Sequence, residues 1–288
     1  MALPEQILQE KIRRFLEEDI GQGDITTLHT IPQGIVAETE VVAKEKGVIA
    51  GLEETSAFLE SLGFEADVLM PDGSGVEKGT TIMRIVGDAR TLLSTERTIL
   101  NLLTRMSGIA TKTRRVIEKV RDAGYQTRIA STRKVAPGLL YFDKKAVMLA
   151  GGDTHRLHLD DLVLIKDNHL AITRGVAEAV KRARNNVSFS KKIEVEVSSQ
   201  KEASEAVEAG ADIVMLDNFS PQKIRDAISS LEEKGLRDQV LIEASGGINE
   251  GNVIEYAATG ADILSLGEIT DSVKALDISL DVVKVTQK

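Results

Sequence analysis

The chain has 288 residues, 42% of them hydrophobic, enough for one large or two ordinary domains with a sizeable core. Aromatics make up only 3% and tryptophan is absent, so that core must be built mostly of Ile, Leu, Val and Ala. The absence of cysteine excludes disulfides, thiolate metal sites and cysteine nucleophiles, and a net charge of -9 disfavours general binding to nucleic acid or anionic membranes.

Residues 4–18 place Ile7, Leu8, Ile12, Phe15 and Leu16 at helical spacing, and Gly21-Gln22-Gly23-Asp24 then breaks the pattern. This N-terminal stretch is charged throughout and has no signal-peptide core, and no run approaches the ~18 apolar residues of a membrane span, so a cytoplasmic location is expected. Residues 34–50 alternate as strands do, 52–62 read as a helix, Pro71–Gly75 as a turn, and Thr80–Val86 as a strand. Asp72–Gly79 resembles the hairpin of biotinyl or lipoyl carriers. It lacks a lysine in the apolar setting such a carrier needs and is read as an ordinary hairpin. Together, residues 1–107 form a first α/β domain. Residues 94–123 give a long helical pattern, with Ser94 as the expected N-cap and a kink expected at Ser107-Gly108. Arg97 sits unfavourably in the first turn of that helix, a hint that it serves something else.

Six short apolar runs follow within residues 108–270. They are Thr127–Ser131, Leu162–Ile165, Ile193–Val195, Ile213–Leu216, Val240–Ala244 and Ile263–Leu266. Helical segments near 171–185, 200–209, 221–234 and 249–259 separate most of them, which argues for a parallel sheet covered or closed by helices. An internal echo supports this: Ala209-Gly210-Ala211-Asp212-Ile213 recurs as Thr259-Gly260-Ala261-Asp262-Ile263. The length available is short of the ~250 residues of an eight-fold barrel, so an incomplete barrel is expected. The alternating apolar tail, 271–288, is suited to pairing with a sheet of the first domain.

In such barrels the active site lies where strands end. The residues that follow the six runs are therefore candidates. Arg133, Lys134, His155, Arg156 and Lys166 form a cationic set suited to a small polyanion. Each cation taken singly also suits a solvated loop. The small Gly151-Gly152 pair before His155, and the placement of Lys166 directly after an apolar run, argue for the site. Glu194 and Glu196 share one face of a strand, and Asp217 ends the next. Such acids suit sugar hydroxyls, a divalent ion with its waters or a developing positive charge. Ser245-Gly246-Gly247 and Gly267 end the last two strands, where phosphate is often held. The four histidines show no metal-ligand spacing. Lys166 at a strand end is also compatible with a Schiff-base lyase, and the whole set with a non-catalytic anion-binding protein.

The motifs taken together resemble the quinolinate phosphoribosyltransferases. They are Gly23–Thr27, Glu96-Arg97-Thr98, Ser107–Thr111, Thr132-Arg133-Lys134 with Pro137-Gly138, and Gly151-Gly152 with His155-Arg156. Leu164–His169, Glu194–Val197, Leu216–Phe219 and Ser245–Ile248 complete the set, which runs nearly end to end and in order. The resemblance implies an α/β fold, with an N-terminal α/β sandwich domain and a partial α/β barrel. It implies transfer of phosphoribose from phosphoribosyl pyrophosphate to quinolinate with Mg2+, giving nicotinate mononucleotide, CO2 and pyrophosphate. It also implies a homodimer with shared sites. Carried over, Arg133, His155, Arg156 and Lys166 bind the quinolinate carboxylates, and Arg97 reaches in from the partner subunit. Lys134 lies near the donor, Glu196 and Asp217 meet the ribose and the metal's shell, and Ser245, Gly246, Gly247 and Gly267 hold the 5′-phosphate. Lys134, Lys166, Glu196 and Asp217 form the catalytic set. Ser131 and Leu140 stand where many members carry an acid and an arginine. A paralogue linked to molybdenum transport shares the fold but usually lacks the Lys-Asp-Asn-His form found at 166–169.

Overall fold

The computed structural model describes residues 1–287, and the chain divides into two compact units. The first comprises Met1–Lys112, Met148–Ala150 and the segment from Val273 onward. Its helix α1 (Glu5–Ile20) buries Leu8 and Ile12 and stops at Gly21. A short helix unforeseen in the sequence, α2 (Ile25–Thr30), follows, its N-terminus capped by Asp24, which accepts from the Thr27 N–H at 3.0 Å. Strand β1 (Ile35–Ala43) alternates buried and partly exposed residues, as a half-buried antiparallel strand must. After β2 (Gly47–Val48), α3 (Leu52–Ser61) begins behind a glycine that offers no cap. Asp72 supplies one from a distance, accepting from the N–H groups of Leu52 and Glu53 at 3.0 and 3.1 Å. Strands β3 (Glu65–Val68), β4 (Gly75–Val76) and β5 (Thr81–Asp88) follow. β4 pairs antiparallel with the distant β2 and not with β5, so Asp72–Gly79 is not the ordinary hairpin expected from the sequence. β1 lies between β5 and the C-terminal strand Ile278–Gln287, which runs antiparallel to it, with Ala43 opposite Ile278.

The long helix α4 (Ala89–Asp122) begins earlier than the expected Ser94. Asp88 is the residue that satisfies its first turn, accepting from the N–H and hydroxyl of Thr91, both at 2.9 Å. Ser94 is already inside the helix, and its hydroxyl donates to Asp24. Helical assignment continues through Ser107-Gly108 without the expected break. Gly108 is explained by proximity instead: a Cβ there would lie 2.2 Å from the carbonyl oxygen of Lys274.

The second unit comprises Thr113–Val147 and Gly151–Ser272. Its elements are β6 (Arg128–Ser131), α5 (Leu140–Leu149), β7 (Val163–Ile165), α6 (Asp167–Thr173), α7 (Val176–Asn186), β8 (Ile193–Val197), α8 (Gln200–Glu208), β9 (Ile213–Asp217), α9 (Pro221–Glu233), β10 (Leu241–Ser245), α10 (Val253–Ala257), β11 (Ile263–Leu266) and the short α11 (Glu268–Asp271). The six strands form one sheet, in the order β6-β11-β10-β9-β8-β7, with every pairing parallel. This is the incomplete α/β barrel that the sequence implies. On the free side of β6, Ala130 makes an isolated parallel bridge with Asp153. The helix expected from 249 begins only at Val253. Residues 249–252 instead form a turn, in which the side chains of Asn249 and Asn252 donate to the Gly247 carbonyl.

The internal echo has a structural cause. Asp212 accepts from the Ile193 N–H at 2.7 Å, and Asp262 from the Ile242 N–H at 2.7 Å. Each thus satisfies the first or second residue of a neighbouring strand. Arg184 and Arg237 balance them at 2.6 and 2.9 Å, and each also donates to the carbonyl of the repeat's glycine, Gly210 or Gly260. The repeated Gly-Ala-Asp is therefore a device for starting strands in register.

Candidate active site

All strands of the parallel sheet point the same way, so their C-terminal ends gather. There they line a cavity of about 620 Å³. Its walls include Arg133, Lys134, His155, Arg156, Lys166, Glu196, Asp217, Ser245, Gly246, Gly247 and Gly267. Of the site residues expected from sequence, Arg97 and Glu194 are not among them. Arg97 lies exposed on α4 in the first unit, and Glu194 is fully buried. A smaller cavity of about 270 Å³, lined by Arg121, Tyr125 and Arg128 near the start of β6, has neither the glycine loops nor the strand-end acids.

Local structure fixes each group. Lys166 directly precedes α6. Its backbone N–H donates to Nδ1 of His169 at 2.9 Å, while the His169 N–H donates back to the Lys166 carbonyl at 2.9 Å. The histidine of the Lys-Asp-Asn-His segment thus holds the backbone that carries the lysine. The amine of Lys166 forms an ion pair with Glu196 across neighbouring strands. Asp217 ends β9, and the side-chain amide of Asn218 donates to it at 2.7 Å. Asn218 has a positive φ of 56° and donates its N–H to the Ser245 carbonyl, binding this loop to the next. Gly246 has a φ of +93°, and a Cβ on it would fall 2.3 Å from Oδ1 of Asn218, so only glycine fits. A Cβ built on Gly267 would lie 3.7 Å from Nζ of Lys134, which puts that amine beside the last glycine loop.

The deepest part of the site is ionic. Glu194 and Glu196 do share the inward face, but they differ in setting. Glu194 is fully buried, whereas Glu196 keeps some exposure at the cavity wall. Nε2 of His155 lies 3.1 Å from Glu194 and 3.1 Å from Glu243. Burial by itself would lower the histidine's pKa, but the hydrogen bonds to the two carboxylates outweigh it and raise the value to about 10. His155 is thus an imidazolium at neutral pH. Burial pushes Glu194 upward, against the pull of His155. Burial, reinforced by the neighbouring Arg133, lowers Arg156 from its ordinary value.

Glu243 was missed in the sequence because it sits inside an apolar run read only for its end. The signal was there: an acid inside an otherwise apolar strand, as Glu194 and Glu196 also are. Lys144, fully buried in α5, is another charged residue passed over.

The oxygen atoms of Glu194 and Glu243 and the His155 nitrogen lie within 4.8 Å of one another. Among the described residues, Glu196 and Asp217 belong to no such group of three. As two carboxylates at the cavity wall, they still suit Mg2+, which takes hard oxygen ligands, keeps several waters and commonly needs only one or two carboxylates beside a substrate's phosphates.

Residues 24–107 match the family described as quinolinate phosphoribosyl transferase, N-terminal domain, and residues 109–281 match its C-terminal domain. The chain belongs to the quinolinate phosphoribosyltransferase family. A relative from Methanocaldococcus jannaschii, described as a probable nicotinate-nucleotide pyrophosphorylase (carboxylating), is 49% identical, over 95% of this chain and 96% of its own. The human nicotinate-nucleotide pyrophosphorylase (carboxylating) is 39% identical, over 97% and 93%. The crystal structure of the Francisella tularensis nicotinate-nucleotide pyrophosphorylase superposes with a TM-score of 0.89 at 36% identity, covering 98% of both chains. Among the described residues, no helix of this family member is long and apolar enough to cross a membrane.

Proposed function

We propose that this chain transfers phosphoribose from phosphoribosyl pyrophosphate to quinolinate with loss of CO2, forming nicotinate mononucleotide and pyrophosphate for NAD synthesis. The observation that carries this reading is the cavity itself. In a chain of net charge -9, it gathers Arg133, Lys134, His155, Arg156 and Lys166 around one space, flanked by glycine loops. A small dianion and a polyphosphate are the ligands that such a reversal of sign suits.

Arg133, His155, Arg156 and Lys166 take the two carboxylates of quinolinate. The ring nitrogen then attacks the anomeric carbon of the ribose as pyrophosphate departs. The residues supply position, neutralisation of the leaving group and negative charge from Glu196 and Asp217 near an oxocarbenium-like centre, without a protein nucleophile. Lys134, beside Gly267, serves the donor's phosphates, and Ser245, Gly246, Gly247 and Gly267 hold the 5′-phosphate. The pyridinium formed by the transfer stabilises the electrons released when the adjacent carboxylate leaves as CO2. Glu196 and Asp217 would hold Mg2+, directly or through water, and the ion would supply positive charge for the leaving group. The protein acts as a homodimer, or a multiple of it, in which Arg97 completes the partner's site, and it works in the cytoplasm on small molecules. A Schiff-base reaction at Lys166 is disfavoured because its amine is engaged by Glu196 instead of standing free in an apolar pocket.

Incubation with quinolinate, phosphoribosyl pyrophosphate and Mg2+ should yield nicotinate mononucleotide, CO2 and pyrophosphate in equal amounts. Nicotinate, which lacks one carboxylate, should be used far less well, since leaving a buried cation unpaired costs on the order of 2–5 kcal/mol. Equal turnover of the two acids would overturn the assignment of the cationic pocket.

A further inference from the structure

Among the buried charges that the mechanism above leaves unused is one beside the site. Lys144 of α5 is fully buried, and its ammonium donates to the hydroxyl of Ser131 at 3.0 Å and to the carbonyl of Thr154 at 2.5 Å. Ser131 ends β6 and leads straight into Thr132-Arg133-Lys134. Thr154 directly precedes His155-Arg156. Four of the cavity's five cationic side chains thus issue from two segments that meet at one ammonium. The second segment is a demanding one. His155 has a positive φ of 54°, its N–H bonds to the Asp153 side chain at 2.7 Å, and Asp153 is tied to β6 through Ile129 and Ser131. A non-glycine residue in that conformation persists only where its surroundings hold it.

We propose that Lys144 is a positioning residue that clamps these two segments and, through its positive charge, adds to the field that draws the dianionic substrate into the cavity. This rests on the functional reading above. The groups facing the ammonium are Asp143 on its own helix, Asp153 in the bridging segment, Arg133 after β6, and Arg156. Burial lowers its pKa to about 8, with Asp153 opposing and Arg133 adding to the fall. Asp143 and Asp153 favour the charge and the two arginines oppose it, so an anion that enters beside Arg133 and Arg156 gains from the ammonium behind them.

The test uses the full-length protein and three variants, Lys144→Met, Ser131→Asp and Ser131→Ala. In Lys144→Met the KM for quinolinate should rise about tenfold or more with kcat changed little, since two buried acceptors lose their donor while the reacting groups remain. In the wild type, kcat/KM for quinolinate should fall as pH rises through about 8, because the ammonium is lost there whereas the His155 imidazolium persists to about 10. Ser131→Asp places a carboxylate against the ammonium and should move that fall upward by about a pH unit or more, whereas Ser131→Ala should not. An unchanged alkaline fall in Ser131→Asp, or a lost kcat with an unchanged KM in Lys144→Met, sinks the proposal. Should Lys144→Met fail to fold, the serine variants still decide it. If the wild type turned over no quinolinate, the functional reading would fall separately. Amide exchange would then decide the clamp: at Thr132–Lys134 and Thr154–Arg156 it should be at least about tenfold faster in Lys144→Met, and equal rates would overturn it.

Discussion

A histidine whose Nε2 lies 3.1 Å from each of two fully buried carboxylates cannot titrate as it does in water. Its charged form is favoured by both partners, so the ring should remain protonated at neutral pH, with a pKa near 10. Replacing one partner, Glu243→Gln, should lower that value by about a unit or more. Nitrogen-15 NMR of the imidazole would show this directly, and a wild-type ring titrating near 6.5 would remove His155 from the permanent cations of the site. The acids at the cavity wall play a different part. Glu196→Gln and Asp217→Asn keep size and remove charge. Both should lose turnover while quinolinate binding, measured by calorimetry, is largely kept, because the proposed function assigns these residues to the ribose and the metal. Wild-type rates in both would mean that the acids only support the fold.

At the scale of elements, Gly246 offers a test of how the strand-end loops are built. Its Cβ position is filled by Asn218, whose side chain orients Asp217 and whose N–H binds the Ser245 carbonyl. Gly235 also has a positive φ, 66°, but open space where a Cβ would go. Gly235→Ala should therefore lower stability by only the backbone cost, about 1–2 kcal/mol. Gly246→Ala should lower it more and also raise the KM for phosphoribosyl pyrophosphate, and equal melting temperatures for the two variants would contradict this. The six strands were legible in the sequence because a parallel sheet buried on both faces writes each strand as a short apolar run. Most of the site residues came with them, within one to three positions of a run, whereas His155 and Arg156 follow no run and were read from the Gly151-Gly152 pair before them. Other features depended on tertiary contacts that no periodicity records. The start of α4 was set by Asp88, not Ser94, and the delay of α10 by the asparagine turn at 249–252. Glu243 and Lys144 look unremarkable within their own elements. Only the fold shows that one faces His155 and the other bridges Ser131 and Thr154.

At the scale of the whole molecule, Arg97 stands apart from the other cations, exposed on α4 in the first unit and outside the cavity's lining. In the proposed shared-site dimer, Arg97 serves the cavity of the partner subunit. In a closed two-fold dimer each subunit can lend one residue to the other. Arg97→Ala and Lys166→Ala should each abolish activity alone. Mixed under conditions of subunit exchange, they should regain some. A heterodimer carries one site with both lesions and one with neither, so it works at half the rate of a normal dimer. A statistical mixture in which half the dimers are heterodimers should then recover roughly a quarter of wild-type activity. Exchange is verified by native mass spectrometry of subunits that differ in mass. If heterodimers form and the mixture stays inactive, Arg97 acts within its own subunit or not at all, and the shared-site dimer is wrong.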